Sequence, residues 1–174
     1  MAKTILVVGF GPGISTAVAE KFGSSGFSVA LVARNEERLA AGVASLKAKG
    51  IAATAFPADA SDPAAIRAAI GKARAALGPI SVIHWNAYGG ASAGDLATAD
   101  VAAIRGVFDV AIVGLLTAVQ ESLPDLKKTE GAVLVTNGAF GELNPQIDEY
   151  AVGSKSMGLA LANAAKHKLV GLLA

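Results

Sequence analysis

Short apolar runs alternate along the chain with longer stretches in which apolar positions recur every three or four residues. Five of the short runs have strand length: residues 4–8, 27–32, 51–56, 80–85 and 132–136. They are mostly apolar throughout, as strands covered on both faces are, and the flanking Gly and Pro favour strand over buried helix. The stretches between them carry helix signals. Asn35 can cap a helix with Glu36 and Glu37 in its first turn, a stripe of Leu39, Val43 and Leu46, and a stop at Gly50. Asp62-Pro63 is a cap followed by proline at the first helical position, with Ile66, Ile70, Ala73 and Leu77 on one face and Gly78 as the stop. A third helix is expected from Asp100 through Ile104, Phe108, Leu115 and Val119 to Pro124. A last one is expected from Ser154 through Leu159, Leu169 and Leu173. Strands alternating with helices predict an α/β fold: a doubly wound parallel sheet of five strands with helices on both faces.

Composition narrows the function classes. At about 150 residues per domain, 174 residues give one domain, and no linker or low-complexity tract divides it. Hydrophobic residues make up 53% and charged residues 17%, which excludes disorder. A net charge of +1 offers no electrostatic attraction for nucleic acid or an anionic membrane, so a small-molecule substrate is the expected partner. The chain has no Cys and only two His, and no metal site is expected. His84 reads as a core or interface residue and His167 as surface. The first apolar run is broken by Gly9, too short for a signal-peptide core or a membrane span, and the reading is of a soluble, cytoplasmic protein.

Gly9-Phe10-Gly11-Pro12-Gly13-Ile14-Ser15 follows the first strand and opens a helix bearing Val18, Ala19 and Phe22. Backbone N–H groups at such a junction can meet a phosphate. The GxGxxG fingerprint fails at Ile14, and a tight turn without a ligand is the plain alternative. With Gly13-Ile14-Ser15, however, the loop resembles the TGxxxGIG pattern of the short-chain dehydrogenase/reductase family. Val8 stands for the Thr and Ser15 for the last Gly. Ala33-Arg34-Asn35 after the second strand, Asp59-Ala60 after the third and Asn86-Ala87 after the fourth resemble further family motifs in the same order. The resemblance implies a single NAD(P)-binding Rossmann domain over residues 1–174, its five strands in the order 3-2-1-4-5, with these residues around the cofactor. It also implies a homo-oligomer, dimer or tetramer, and further C-terminal strands and a substrate loop beyond this sequence.

An acid at the end of the second strand would bind the ribose hydroxyls of NAD, whereas a base suits a 2′-phosphate. Ala33 leaves room and Arg34 can pair with that phosphate, so NADP(H) is expected in preference to NAD(H). Pro12 stands where many NADP-using relatives place a base. Arg34 can equally be a solvated residue opening a helix, and Asp59 either contacts adenine or makes a turn.

The catalytic pattern of the family departs here. Ala111 occupies the position of its Asn, and Asn137 and Gly138 that of its Ser pair. Tyr150 lies five residues before Lys155, so the YxxxK spacing is not met, with Ser154 at the i+4 place. In a second register Lys166 is the family Lys and Ala162 takes the Tyr position. Lys166 can hold the cofactor ribose or be a surface residue. Tyr88 and Tyr150 are the phenols that can replace the missing donor, or they simply pack, and Thr136 or Asn137 can donate a hydrogen bond. The leading expectation is an NADP(H)-dependent oxidoreductase acting on a small carbonyl or alcohol. A non-catalytic NADP(H)-binding module is the alternative. An S-adenosylmethionine-dependent methyltransferase would need acids where Val7 and Ala33 stand. The stretch 89–94 is a candidate substrate loop.

Overall fold

The computed structural model describes residues 3–89 and 93–174. Five parallel strands form one sheet: β1 (Lys3–Val8), β2 (Phe27–Ala33), β3 (Ala53–Pro57), β4 (Ile80–Trp85) and β5 (Ala132–Val135). Their order is β3-β2-β1-β4-β5, with Val8 level with Val32 on one side and with Trp85 on the other. The helices are α1 (Ile14–Ser24), α2 (Glu36–Ala48), α3 (Pro63–Leu77), α4 (Val101–Phe108), α5 (Leu115–Thr129), α6 (Pro145–Gly153) and α7 (Met157–Leu173).

Local chemistry accounts for the helix starts. The Asn35 carboxamide oxygen accepts the Arg38 N–H at 2.7 Å, and Asp62 accepts the N–H groups of Ala64 and Ala65 before Pro63 fixes the first turn. Both faces of the sheet are covered. One core joins Leu6, Val8, Ile83 and Trp85 to Ile66, Ile70, Leu115 and Ala118 from α3 and α5. The other joins Ile5, Val7, Val29 and Leu31 to Ala19, Leu39 and Leu46 from α1 and α2. The two sets alternate along β1, as the pleat requires.

Three expectations are corrected. The helix from Asp100 does not end at Pro124. It runs as a continuous rod through a π-helical stretch, Asp109–Gly114, to Thr129. Proline removes one backbone donor, but Pro124 is exposed, and Arg74 of α3 holds the turn beyond it. The Arg74 Nε donates to Asp125 at 2.7 Å, its guanidinium also reaches Glu121, and Asp125 accepts the Ile80 N–H at 3.3 Å. Second, the segment after β5 holds two helices, because Asn144 caps a helix of its own with Pro145 at its first position. A left-handed Lys155 (φ 51°) separates α6 from α7. Third, the buried stripe of α7 is Gly158, Ala162, Asn163 and Lys166, while Leu173 is exposed and Leu159 only half-buried. Gly158 is required there because a Cβ would strike Ala93.

Candidate functional site

The strand order reverses between β1 and β4, and in doubly wound sheets the ends of such strands diverge into a crevice. Here the crevice is a cleft of about 710 Å³. The ends of β1, β2 and β4 and the loop after β3 contribute Gly9, Arg34, Asn35, Asp59, Ala60, Asn86 and Ala87 to its walls, and Tyr88 and Asp109 line it as well. Seven of the expected binding residues thus meet in one place.

The glycine loop is shaped by close approach. Gly9 has φ 80°, and a Cβ on it would collide with the Asn86–Ala87 backbone. Its carbonyl accepts the Asn86 side-chain N–H at 3.3 Å. Gly13, φ 89°, ends the loop and caps α1 without a side chain, leaving the first N–H groups of the helix free of a side-chain partner. Ser15 is buried and braces the loop. Its hydroxyl accepts the Gly11 N–H at 2.9 Å and donates to the Gly11 carbonyl at 2.8 Å. Ile14 is exposed and, like Gly11, Gly13 and Ser15, is not among the cleft walls.

At the β2 end, Arg34 lies 3.8 Å from Asp59, both solvent-accessible. Asp59 also makes the turn chemistry expected of it, accepting the backbone N–H (2.9 Å) and hydroxyl (2.8 Å) of Ser61. That backbone bond, aided by the hydroxyl and Arg34, holds its carboxyl below the usual value despite partial burial. Arg38, one turn into α2, lines the same wall.

A second polar group lies at the ends of β4 and β5. Lys166 is buried, 6% exposed, and donates to the Thr136 carbonyl at 3.0 Å. It is not a surface lysine, and no carboxylate pairs with it among the described residues. Burial pushes its ammonium pKa down. The Thr136 hydroxyl is 3.1 Å from His84 Nε2, and Asn137 donates to the Asn163 carbonyl at 3.0 Å. His84 is a core residue, as expected, and burial lowers its pKa.

The two candidate phenols are separated. Tyr88 is half-exposed on the cleft wall, while Tyr150 is 66% exposed on α6, stacked on Phe140 and away from the cleft. Ala111 and Ala162 pack together in a small apolar cluster with Ala93 and Val107. Residues 90–92 of the candidate substrate loop lie outside the described residues. Its end at Gly94 docks on α7, where its carbonyl accepts the Met157 N–H at 3.1 Å.

A five-stranded doubly wound sheet with a glycine loop and a cleft at its switch point defines an α/β protein of the nucleotide-binding type. The chain belongs to the short chain dehydrogenase family, whose model matches residues 3–170. It is 41% identical over 81 residues to 2,3-dihydro-2,3-dihydroxybenzoate dehydrogenase of Bacillus subtilis, which covers 47% of this chain and 31% of that one. It is 25% identical over 165 residues to short-chain dehydrogenase/reductase SDRA of Arabidopsis thaliana, covering 94% of this chain and 65% of that one. The chain therefore spans less than two thirds of the length of these relatives. Among solved structures, an alcohol dehydrogenase from Thermococcus sibiricus complexed with 5-hydroxy-NADP has a TM-score of 0.86 at 21% identity, covering 99% of this chain and 70% of that one. L-sorbose reductase from Gluconobacter frateurii, complexed with NADPH and L-sorbose, has a TM-score of 0.87 at 21% identity, covering 99% of this chain and 63% of that one. These two likenesses establish the fold.

Proposed function

We propose that the protein binds NADP(H) in preference to NAD(H) and serves as an oxidoreductase on a small carbonyl or alcohol without a Tyr-xxx-Lys pair. The observation that carries this reading is the β2 end of the cleft, where the small Ala33 and the cationic Arg34 replace the acid that would repel a 2′-phosphate. The residues present fit such a group. The close packing of Gly9 on the Asn86–Ala87 backbone, which only glycine permits, and the start of α1 at Gly13-Ile14-Ser15, free of a side-chain cap, suit a pyrophosphate. Asp59 and Ala60 suit the adenine, Asn86 and Ala87 the ribose beyond it. The bound dinucleotide would supply hydride transfer. Lys166, fixed by the Thr136 carbonyl, would hold the nicotinamide ribose, and Tyr88 or Asn137 would hydrogen-bond the substrate oxygen.

Fluorescence titration with NADPH, NADH and S-adenosylmethionine tests the reading. NADPH is expected to bind most tightly, and Arg34→Ala to remove most of its advantage over NADH. The expected loss is about 1.5 kcal/mol, the lower end for a charge-assisted bond, because Arg34 is exposed. Equal affinity for the two dinucleotides in the unaltered protein would sink it.

A second reading, a dinucleotide-binding module without turnover, is favoured by one observation. Ala111 and Ala162, at the positions where the family resemblance puts Asn and Tyr, bury each other in an apolar cluster. Positioned acid–base groups contribute roughly 10²–10⁴-fold to rate. Slow oxidation of NADPH by aldehydes or ketones that survives Tyr150→Phe supports the enzyme. Tight binding with no oxidation above the buffer rate supports the module.

A further inference from the structure

We propose that Arg38 is the second cationic arm of the cleft and contacts the adenosine 2′-phosphate, supplying from α2 the charge that the glycine loop lacks at Pro12. The inference rests on the NADP(H) reading and names a specificity residue for it.

Three observations converge on Arg38. It lines the cleft together with Arg34 and Asn35. Its guanidinium also stands over the glycine loop, with Nη1 3.6 Å and Cδ 3.8 Å from where a Cβ on Gly11 would lie. Arg34 is already engaged by Asp59 at 3.8 Å, whereas no carboxylate pairs with Arg38 among the described residues. The cleft therefore has one guanidinium turned to an internal acid and one left for a ligand.

The approach of Arg38 to the loop is built into the fold. Its backbone N–H is held by the Asn35 cap at 2.7 Å, which fixes the first turn of α2. The loop is fixed to the same helix by Phe10, 6% exposed, whose ring lies where a Cβ on Gly42 would be. Gly9, just before Phe10, lets the loop pack on the Asn86–Ala87 backbone while the Phe10 ring lies against α2 at Gly42. A phosphomonoester carries a charge of about −1.5 to −2 near neutrality, more than one partly neutralised arginine can match. A guanidinium fork from each side of its three oxygens suits it better. A pyrophosphate in the loop presents diester oxygens common to NADPH and NADH, so the two dinucleotides separate the two possible contacts.

The experiment compares NADPH and NADH affinities of the full-length protein and of Arg38→Ala and Arg38→Lys, with circular dichroism melts showing that all are folded. Arg38→Ala is expected to weaken NADPH by about 10- to 100-fold and NADH by less than about threefold, and Arg38→Lys to recover part of the loss. Equal weakening of both dinucleotides would overturn the proposal by moving Arg38 to the pyrophosphate or to loop support. An unchanged preference in Arg38→Ala, with the preference lost in Arg34→Ala, would also overturn it and leave the NADP(H) reading standing. Absence of any NADPH preference in the unaltered protein would end both.

Discussion

His84 lies at the end of β4 with Nε2 on the Thr136 hydroxyl and Nδ1 buried without a partner among the described residues. Its imidazole therefore takes up a proton less readily folded than unfolded, where the ordinary value is 6.5. As pH falls through 6.5 the unfolded chain gains a proton that the folded one refuses. The contribution of His84 is thus present above 6.5 and is lost as pH falls toward the lowered folded value. The melting temperature is expected to drop between about pH 7.5 and 5.5, and His84→Gln to flatten part of that slope; an unchanged slope would remove His84 from the account. At this scale the sequence was informative where backbone geometry forces a residue type, as at Gly9 and Gly13. It was silent on burial. Lys166 left two roles open because a lysine on a helix has no sequence mark of facing inward, and its burial depends on the Thr136 carbonyl 30 residues away. Arg38 and Phe10 gave no signal because their meaning comes from Gly11 and Gly42 across a helix–loop contact.

Helix starts were legible because their chemistry is local: Asn35 and Asp62 bond to N–H groups two or three residues on. The end at Pro124 misled because a tertiary clamp overrides it. Arg74 ties α3 to Glu121 and Asp125, on either side of the proline, and Asp125 also receives the backbone of β4. Asp125→Ala is expected to destabilise the protein by about 1.5–3 kcal/mol in urea titration, since it leaves a half-buried guanidinium with one acid fewer. The loss should fall mainly on the last turn of α5, read as faster amide exchange from Leu126 to Thr129. No change in either measurement would mean that α5 passes Pro124 unaided.

Across the whole molecule, the sheet order followed from alternating elements and from the family resemblance, which together leave few topologies open. What neither carried is how the two cores share one sheet. Trp85, the single tryptophan, is fully buried in the α3–α5 core beside Val8 and Val32, while Val7 and Leu31, one residue back on β1 and β2, turn into the α1–α2 core. Because every central strand contributes to both, the two are expected to melt together. Trp85 emission and far-ultraviolet circular dichroism should give coincident urea transitions. Two separated midpoints would show that the layers on the two faces of the sheet unfold independently.

The π-helical stretch Asp109–Gly114 works as a phase shifter in the rod from Val101 to Thr129. An added residue per turn rotates the downstream half by about 100° relative to an unbroken α-helix. Val107 and Ala111 can thereby face Ala162 of α7 while Leu115 and Ala118 face the sheet, and Gly114 passes the Ala60 carbonyl without a Cβ. The length of this stretch is therefore more constrained than most of its side chains. Substitutions at Ile112 or Val113 preserve the phase, whereas a single-residue deletion would turn one half of the rod away from its partner. Among descendants of this chain, spacing between residues 108 and 115 should stay fixed while the letters between them drift.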